Sequence, residues 1–380
     1  SNPNGAHALN SIAFADSYPA GLVNVNPAAI VTTCPSATLT VSANSISLAG
    51  ASLAAGSSCT VTANVTSAAA ASYTNTTGLV SSGNGGTGTS ASATITFTTL
   101  PTISKAFASP TIPRNGVTKL SFTLTNNGSV GITGMTFTDL FPSGLVVASP
   151  PALSPVAACG GTVESWNGST ASALAAGAPG LRLSGGAIAA PGGSCSFSVD
   201  VTAATAGSYD NVTSGVNSSL GSPGPVSNTA NLRVMAAPVA SKVFSPSTIG
   251  RGQTSRLVLT LVNPNPVAIT GVAFTDNYPV NLVNASVPNA TTTCGGSVVA
   301  GAGGGTLSLS GGSIPASGSC TVEADVTSNT VNVTGYVNTI AAGGVTTGNA
   351  GSSESAASAT LVVNATPSIA KSFSVDVAAS

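Results

Sequence analysis

The sequence ASKVFSPSTIGRGQTSRLVLTLVNPNPVAITGVAFTDNYP occupies residues 240–279, and it decides the fold because related stretches recur along the chain. A full second copy, SKAFASPTIPRNGVTKLSFTLTNNGSVGITGMTFTDLFP, occupies residues 104–142. The second half recurs alone at residues 2–19 (NPNGAHALNSIAFADSYP), and the first part recurs alone at residues 367–380 (PSIAKSFSVDVAAS). Similarity at a spacing of roughly 130 residues predicts tandem copies of one domain.

The copy that begins near residue 240 predicts many short strands. SRLVLTLV and CTVEADVT alternate apolar and polar residues, which is typical of half-buried strands. Gly311 and Gly312 are expected to turn the chain. No stretch combines an apolar 3.6-residue period with helix-capping residues. The predicted strands of this copy are residues 242–245, 255–262, 269–276, 297–300, 306–310, 320–327, 336–340 and 359–363.

This pattern predicts an all-β protein of three tandem Ig-like β-sandwich domains. We expect the first domain at residues 1–100 to lack its first strands, and we expect a neighbouring subunit to complete it with a strand. Full Ig-like domains are expected at residues 101–237 and 238–365. A C-terminal donor-strand tail is expected at residues 366–380.

The composition excludes several classes of function. Only 5% of the 380 residues are charged, and nine basic residues nearly balance ten acidic ones. We therefore expect no nucleic-acid partner, because such partners require a basic surface. We also expect no membrane span, because no apolar run reaches about 18 residues.

The cysteines predict an oxidising compartment. A Gly-Ser turn precedes the second cysteine of each pair, and the chain has only one histidine, so a metal site is not expected. We predict three disulfides within domains, with buried free thiols as the alternative. The predicted pairs are Cys34 with Cys59, Cys159 with Cys195, and Cys294 with Cys320.

Taken together, the recurring motifs resemble the DUF11-type (DUF7933-like) Ig-like repeats of large bacterial surface proteins. The resemblance covers essentially the whole chain. It implies a secreted bacterial protein at the cell surface or outside the cell, with a structural or adhesive role and no enzymatic activity. In one copy the motifs are SKxFSPxxI at 241–249, TLxNxN at 260–265, TDxxP at 275–279, TTCGG at 292–296, LSGGxIPAxGSC at 309–320 and YxN at 336–338.

No catalytic residue or cofactor is expected, since His7 alone offers no base for a Ser-His-Asp arrangement. Asp16, Asp139 and Asp276 recur at one position per repeat, before a proline-terminated strand. We interpret these aspartates as turn-stabilising residues.

Two further sets of residues recur once per repeat. Tyr73, Tyr209 and Tyr336 each precede an asparagine by two residues, which predicts a buried tyrosine whose hydroxyl bonds to the backbone. The trio Lys242, Asp276 and Asn338 is what a Lys–Asn isopeptide crosslink with an acidic neighbour would require.

The tail leads to the main functional hypothesis. Apolar and polar residues alternate near the end of the chain, so that one face of the predicted strand is apolar. We expect this strand to enter the first domain of the next subunit, which would give a head-to-tail extracellular filament. The predicted donor residues are Ile369, Lys371, Phe373, Val375 and Val377. The predicted acceptor residues are Ile12, Phe14, Tyr73, Ile95 and Phe97.

Two other hypotheses remain open. The chain could be a stalk segment of a large surface adhesin, with the same strands supplied by its own polypeptide. It could also be a glycan-binding module, for which Trp166 in the loop VESWNGST is the candidate contact. Self-association is the predicted partnership, and a host, surface or matrix ligand is a further possible partner.

Overall fold

The computed structural model describes residues 1–156, 158–189 and 192–372. Within these ranges the protein is all-β except for one 3-10 turn at Ala158–Gly160. Three Ig-like β-sandwich repeats follow one another along the chain, which confirms the predicted all-β class and the three tandem domains. Completion of the first domain by a strand from a neighbouring subunit stays a prediction.

The first repeat contains eleven strands among the described residues, and all but two of them have five residues or fewer. They are β1 (Leu9–Ser17), β2 (Val23–Asn24), β3 (Ile30–Thr32), β4 (Thr38–Ser42), β5 (Ser45–Leu53), β6 (Val61–Ala63), β7 (Val65–Thr66), β8 (Ser72–Thr76), β9 (Ser81–Ser82), β10 (Gly86–Thr87) and β11 (Ser92–Thr96).

The second repeat has longer strands. They are β12 (Thr102–Phe107), β13 (Thr111–Pro113), β14 (Val117–Thr125), β15 (Ile132–Leu140), β16 (Leu145–Val147), β17 (Leu153–Ser154), β18 (Thr162–Trp166), β19 (Ala171–Ala173), β20 (Gly180–Ile188), β21 (Ser194–Ala203), β22 (Gly207–Asn211) and β23 (Ala230–Met235).

The third repeat follows the same plan. Its strands are β24 (Val239–Ser245), β25 (Thr248–Gly250), β26 (Thr254–Val262), β27 (Ile269–Asn277), β28 (Val283–Asn284), β29 (Thr291–Thr292), β30 (Ser297–Val299), β31 (Thr306–Ile314), β32 (Ser319–Thr327), β33 (Asn332–Ile340) and β34 (Ala357–Asn364).

The second repeat shows how the sandwich is built. One sheet has the order β12-β14-β21-β16, and it packs against β15-β20-β18-β19 and β13-β23-β22. Aromatic rings join the sheets: Phe122 of β14 stacks on Phe197 of β21 at 4.9 Å between centroids and lies 5.6 Å from Phe137 of β15. The third repeat has matching sheets, β24-β26-β32-β28, β27-β31-β30 and β25-β34-β33.

The first repeat shares only part of this arrangement. Its sheets are β10-β9-β1-β5-β4, β11-β8, β2-β7 and β3-β6. By position along the repeat, β6 and β7 correspond to β21 and to β32. In the other repeats β14 and β26 pair along nine residues of those strands. Among the described residues, β6 and β7 pair only with β3 and β2.

One predicted turn is wrong. Gly311 and Gly312 lie inside β31, which continues to Ile314, and they do not end the strand. The pairing of β27 with β31 is irregular around Val272, and Gly311 adopts a positive φ of 66°. A β-bulge therefore accommodates the two glycines, which is a recognised role of glycine inside a strand.

The three predicted disulfides are confirmed. The second cysteine of each pair lies in β21 or β32, or two residues before β6. The bonds are Cys34–Cys59, Cys159–Cys195 and Cys294–Cys320, and no described cysteine is free.

Candidate functional site

A buried Lys–Asp–Asn cluster lies at the centre of the second repeat. Lys105 of β12 places its Nζ 2.9 Å from both carboxylate oxygens of Asp139 on β15. Asn211 of β22 donates from Nδ2 to Oδ2 of the same carboxylate at 3.1 Å. The Lys105 and Asp139 side chains are 0% exposed, and Nζ lies 5.7 Å from the Phe122 ring centroid. Three strands thus bring three polar groups together in an apolar core.

The third repeat contains the same cluster. Nζ of Lys242 on β24 lies 2.7 Å from Oδ1 of Asp276 on β27. Nδ2 of Asn338 on β33 donates to Oδ2 of Asp276 at 2.9 Å. All three residues are buried. The recurrence shows that the cluster is a property of the repeat.

The earlier interpretation of these aspartates as turn-stabilising residues is wrong for Asp139 and Asp276. Their carboxylates bond to lysine and asparagine side chains in the core. The reason is strand alternation: Asp139 lies two residues after the buried Phe137, so both face inward. The residue before the turn therefore belongs to the core.

Burial controls the electrostatics of the cluster. It lowers the pKa of Lys105 and of Lys242, against the opposing attraction of the facing carboxylates. Burial also raises the pKa of Asp139, against the opposing effects of Lys105 and Asn211. Both directions favour uncharged forms because desolvation penalises the charged ones.

Each cluster leaves one polar atom without a partner. Oδ1 of Asn211 and Oδ1 of Asn338 are buried and accept no hydrogen bond. A buried polar atom without a partner typically costs about 1–3 kcal/mol. Such a group calls for a structural or chemical explanation.

The first repeat has the acid and the amide of this cluster. Nδ2 of Asn75 on β8 donates to Oδ2 of Asp16 on β1 at 2.8 Å. Oδ1 of Asp16 and Oδ1 of Asn75 are buried without a hydrogen-bond partner. No described lysine bonds to this carboxylate, and the first repeat has no counterpart of β12 or β24, which carry the lysine in the other repeats.

The predicted acceptor residues fall into two groups. Ile12 and Phe14 of β1 line an open groove of about 1200 Å³ beside the Cys34–Cys59 disulfide. Tyr73 and Phe97 lie in a separate small core, and their rings meet edge to face at 5.9 Å. Ile95 of β11 is 41% exposed. The structure therefore does not bring all five side chains into one groove.

The predicted donor residues are described only in part. Ile369 is 98% exposed, and neither it nor Lys371 lies in a strand. Phe373, Val375 and Val377 lie outside the described residues. The donor assignment stays a prediction.

The predicted tyrosines are confirmed in two repeats. The hydroxyl of Tyr209 donates to the carbonyl of Thr205 at 2.7 Å, and that of Tyr336 donates to the carbonyl of Thr330 at 3.0 Å. In the first repeat, the hydroxyl of Tyr73 bonds to the side chain of Ser67 at 2.7 Å. All three rings are buried.

The remaining candidate sites are supported by fewer contacts. Trp166, expected in a loop, ends β18 and lines a surface hollow of about 240 Å³. The described residues contain no group of three or more His, Cys, Asp or Glu side chains able to hold a metal ion. Within the part of the chain that the structure describes, no helix has both the length and the apolar character needed to traverse a lipid bilayer.

The sequence matches one family model in three successive segments. The model is described as a domain of unknown function, DUF7933, and it matches residues 1–97, 101–234 and 238–363. No curated protein is significantly similar in sequence.

Several solved structures are similar in part. The C-terminal domain of the Streptococcus agalactiae antigen I/II polypeptide BspA is 11% identical, with a TM-score of 0.36, and the match covers 69% of this chain and 99% of that one. The collagen adhesin of S. aureus is 11% identical, with a TM-score of 0.23, covering 70% and 93% of the two chains. The Escherichia coli adhesin FdeC is 13% identical, with a TM-score of 0.27, covering 96% and 88%. Likenesses this distant say nothing about function.

Proposed function

The chain belongs to the DUF7933 family through all three of its repeats, and from that premise we propose that it is a structural repeat protein of the bacterial cell surface. It works outside the cell as a fibre subunit and not as an enzyme. Copies join head to tail when residues 367–380 of one copy add to the first repeat of the next. Three disulfides suit such an oxidising environment.

The observation that carries this proposal is the Asp16–Asn75 pair. The matching acids in the other repeats bond to a lysine from an early strand, whereas Oδ1 of Asp16 is buried and has no partner. A buried carboxylate oxygen without a partner is costly. A strand that delivers a lysine to this position would remove that cost.

Residues 367–380 have the sequence that such a strand needs. PSIAKSF at residues 367–373 matches PTISKAF at residues 101–107, and it places Lys371 at the position of Lys105. In the second repeat β12 packs against β23, whose counterpart in the first repeat is β11. A donated strand would therefore cover the exposed Ile95. The occupant is a second copy of this chain.

Strand addition also fits the open edge of β11. Among the described residues β11 pairs only with β8, whereas its counterpart β23 also pairs in parallel with β13, the strand that follows β12. Main-chain hydrogen bonds to such an edge supply affinity, and alternate side chains supply specificity. A contact between two different surfaces generates an open filament when it does not close into a ring.

A stalk segment of a larger adhesin is the second candidate function. It is favoured by the second and third repeats, in which the lysine-bearing strand comes from the same polypeptide. In a stalk protein, a preceding segment of the same polypeptide would supply the lysine-bearing strand to the first repeat. The mass of the native protein separates the candidates, since a fibre subunit stays near 36.1 kDa and a stalk protein is far larger.

A peptide-addition experiment tests the fibre proposal. The acceptor is the chain ending at residue 366, which keeps every described strand, and the ligand is a synthetic peptide of residues 367–380. We expect hydrogen exchange to slow at least tenfold in β8 and β11 when the peptide binds, because β11 would gain a partner on its open side and β8 pairs with β11. The matched control peptide carries Lys371→Met and should protect these strands less, because it cannot neutralise Asp16.

Electron microscopy supplies the second readout. The full chain should form filaments that the chain ending at residue 366 does not form. Unchanged exchange with either peptide, or filaments that persist after truncation, would overturn assembly by strand addition.

A further inference from the structure

The Lys–Asp–Asn clusters contain one group more than a structural ion pair requires. A buried pair needs only a cation and an anion, yet each cluster adds a carboxamide that bonds to the same carboxylate. The asparagine gains little from this position, because its Oδ1 is left buried without a partner in both repeats. An amine, an acid and an amide are held together in a buried core.

We propose that the second and third repeats form intramolecular isopeptide bonds, Lys105 to Asn211 and Lys242 to Asn338, with Asp139 and Asp276 as the acids that move the protons. Each bond joins Nζ of the lysine to Cγ of the asparagine. The crosslink ties the first strand of a repeat to a late strand.

The reaction balances within each cluster. The ammonium of Lys105 passes one proton to Asp139 along the 2.9 Å hydrogen bond, which leaves a neutral amine. That amine attacks Cγ of Asn211, the bond from Cγ to Nδ2 breaks, and the proton lost by Nζ reaches Nδ2 through the carboxyl group. Ammonia takes the first proton from Asp139 and leaves as ammonium, so the carboxylate is restored. The reaction needs no oxidant, reductant or outside reagent.

The surroundings favour each step. An amine is a nucleophile only when it is neutral, and burial lowers the pKa of both lysines. Asp139 and Nδ2 of the leaving group are already hydrogen-bonded. A half-turn of the amide brings Oδ1 to the carboxyl group, whose proton then polarises Cγ. The groups are held by strands, so the amine and amide meet without further ordering of the chain.

The first repeat is an internal comparison for this chemistry. Asp16 and Asn75 reproduce the acid and the amide, but no described lysine reaches them. The single chain should therefore carry two crosslinks and not three. Lys119 provides a second comparison, because it pairs with Asp200 at 3.0 Å on the exposed surface without an asparagine.

Intact-mass measurement of the reduced, purified chain tests the proposal. Each bond releases one ammonia, so we expect a mass about 34 Da below that of the sequence, or about 17 Da per crosslink. A cyclised asparagine loses the same mass, so peptide mapping must find the branched peptides that join Lys105 to Asn211 and Lys242 to Asn338. Full mass in the folded chain, or a loss that maps elsewhere, would overturn the proposal.

Two variants assign the acid. Asp139→Asn keeps the shape of the side chain but cannot accept the proton, so the repeat-two crosslink should vanish while the repeat-three crosslink remains. Lys119→Met should keep both. A repeat-two crosslink that persists in Asp139→Asn would show that the acid is not required. If that variant does not fold, the mass of the unaltered chain still decides the question.

Discussion

The central strands of the first and third repeats have nearly the same sequence and very different surroundings. CTVTANVT at residues 59–66 and CTVEADVT at residues 320–327 differ at only two positions. Val322, Ala324 and Val326 are fully buried in one unbroken nine-residue strand. The matching apolar residues of the first repeat are half-buried, and the strand is divided into β6 and β7. The neighbouring strands therefore set burial here, because the local sequence is almost unchanged.

The buried acids should give the largest difference between the two repeats. Asp276→Ala leaves Nζ of Lys242 buried without its acidic partner and prevents the crosslink to Asn338, which should destabilise the third repeat by about 3–5 kcal/mol. Asp16→Ala removes a carboxylate that no described lysine neutralises, so the first repeat should change by less than about 1 kcal/mol. Hydrogen exchange of the chain ending at residue 366, which lacks Lys371 and so cannot supply a lysine to Asp16, measures both when read separately in each repeat. Equal losses of stability in the two repeats would contradict the finding that Asp276, unlike Asp16, is paired with a lysine.

The disulfides offer a matched test of the underlying stability. Cys34–Cys59 and Cys294–Cys320 span 25 and 26 residues, so each should contribute about 3–4 kcal/mol in the chain-entropy model. Replacing both cysteines by alanine should unfold the first repeat locally, because it has fewer paired strands and a smaller buried core. The same change should leave the third repeat folded and less stable.

Limited proteolysis of the two double variants gives the readout. Cleavage should concentrate between β3 and β8 in the first variant, and the corresponding segment of the second variant should resist. Similar resistance in both would mean that the open edge of the first repeat does not weaken it.

Much of the fold could be predicted from local patterns. Period-two alternation located most strands, and the Gly-Ser turns before the second cysteines indicated the disulfides. Both signals depend on residues that are close in sequence. The bulge at Gly311 was missed because a glycine pair in a strand and a glycine pair in a turn look alike without the partner strand.

The buried cluster was only partly predicted, although a signal was present. Lys105 lies between Ile103 and Phe107 at two-residue spacing, so its side chain shares their buried face. Asn211 follows the buried Tyr209 by two residues in the same way. The trio was recognised as a set, but the aspartate was assigned to a turn. Which inward-facing polar residues meet depends on the packing of distant strands, and alternation alone does not determine that.

A tyrosine–asparagine hydrogen bond that recurs in the first and third repeats should give the smallest difference in stability between them. It tests whether the first repeat is weaker only at its unpaired edge or throughout. The hydroxyl of Tyr278 donates to Oδ1 of Asn284 at 2.9 Å, and Tyr18 makes the same bond to Asn24 at 2.9 Å. Tyr278→Phe leaves the amide oxygen of Asn284 without this donor, so we expect a loss of about 1–3 kcal/mol at neutral pH. Tyr18→Phe should cost about the same, because both repeats form this pair alike.

The stabilising effect of the Tyr278 hydroxyl should also depend on pH. Burial, and to a lesser degree Asp276, raises the pKa of Tyr278 above its usual value of 10.0. The hydroxyl therefore contributes fully below about pH 10, and the contribution is lost as the pH rises further, because only the unfolded chain then releases the proton. In urea titrations, the difference in free energy of unfolding between the unaltered chain and Tyr278→Phe should decrease as the pH rises above about 10. If Tyr18→Phe instead costs far less than Tyr278→Phe at neutral pH, the first repeat is loosened throughout and not only along its unpaired edge.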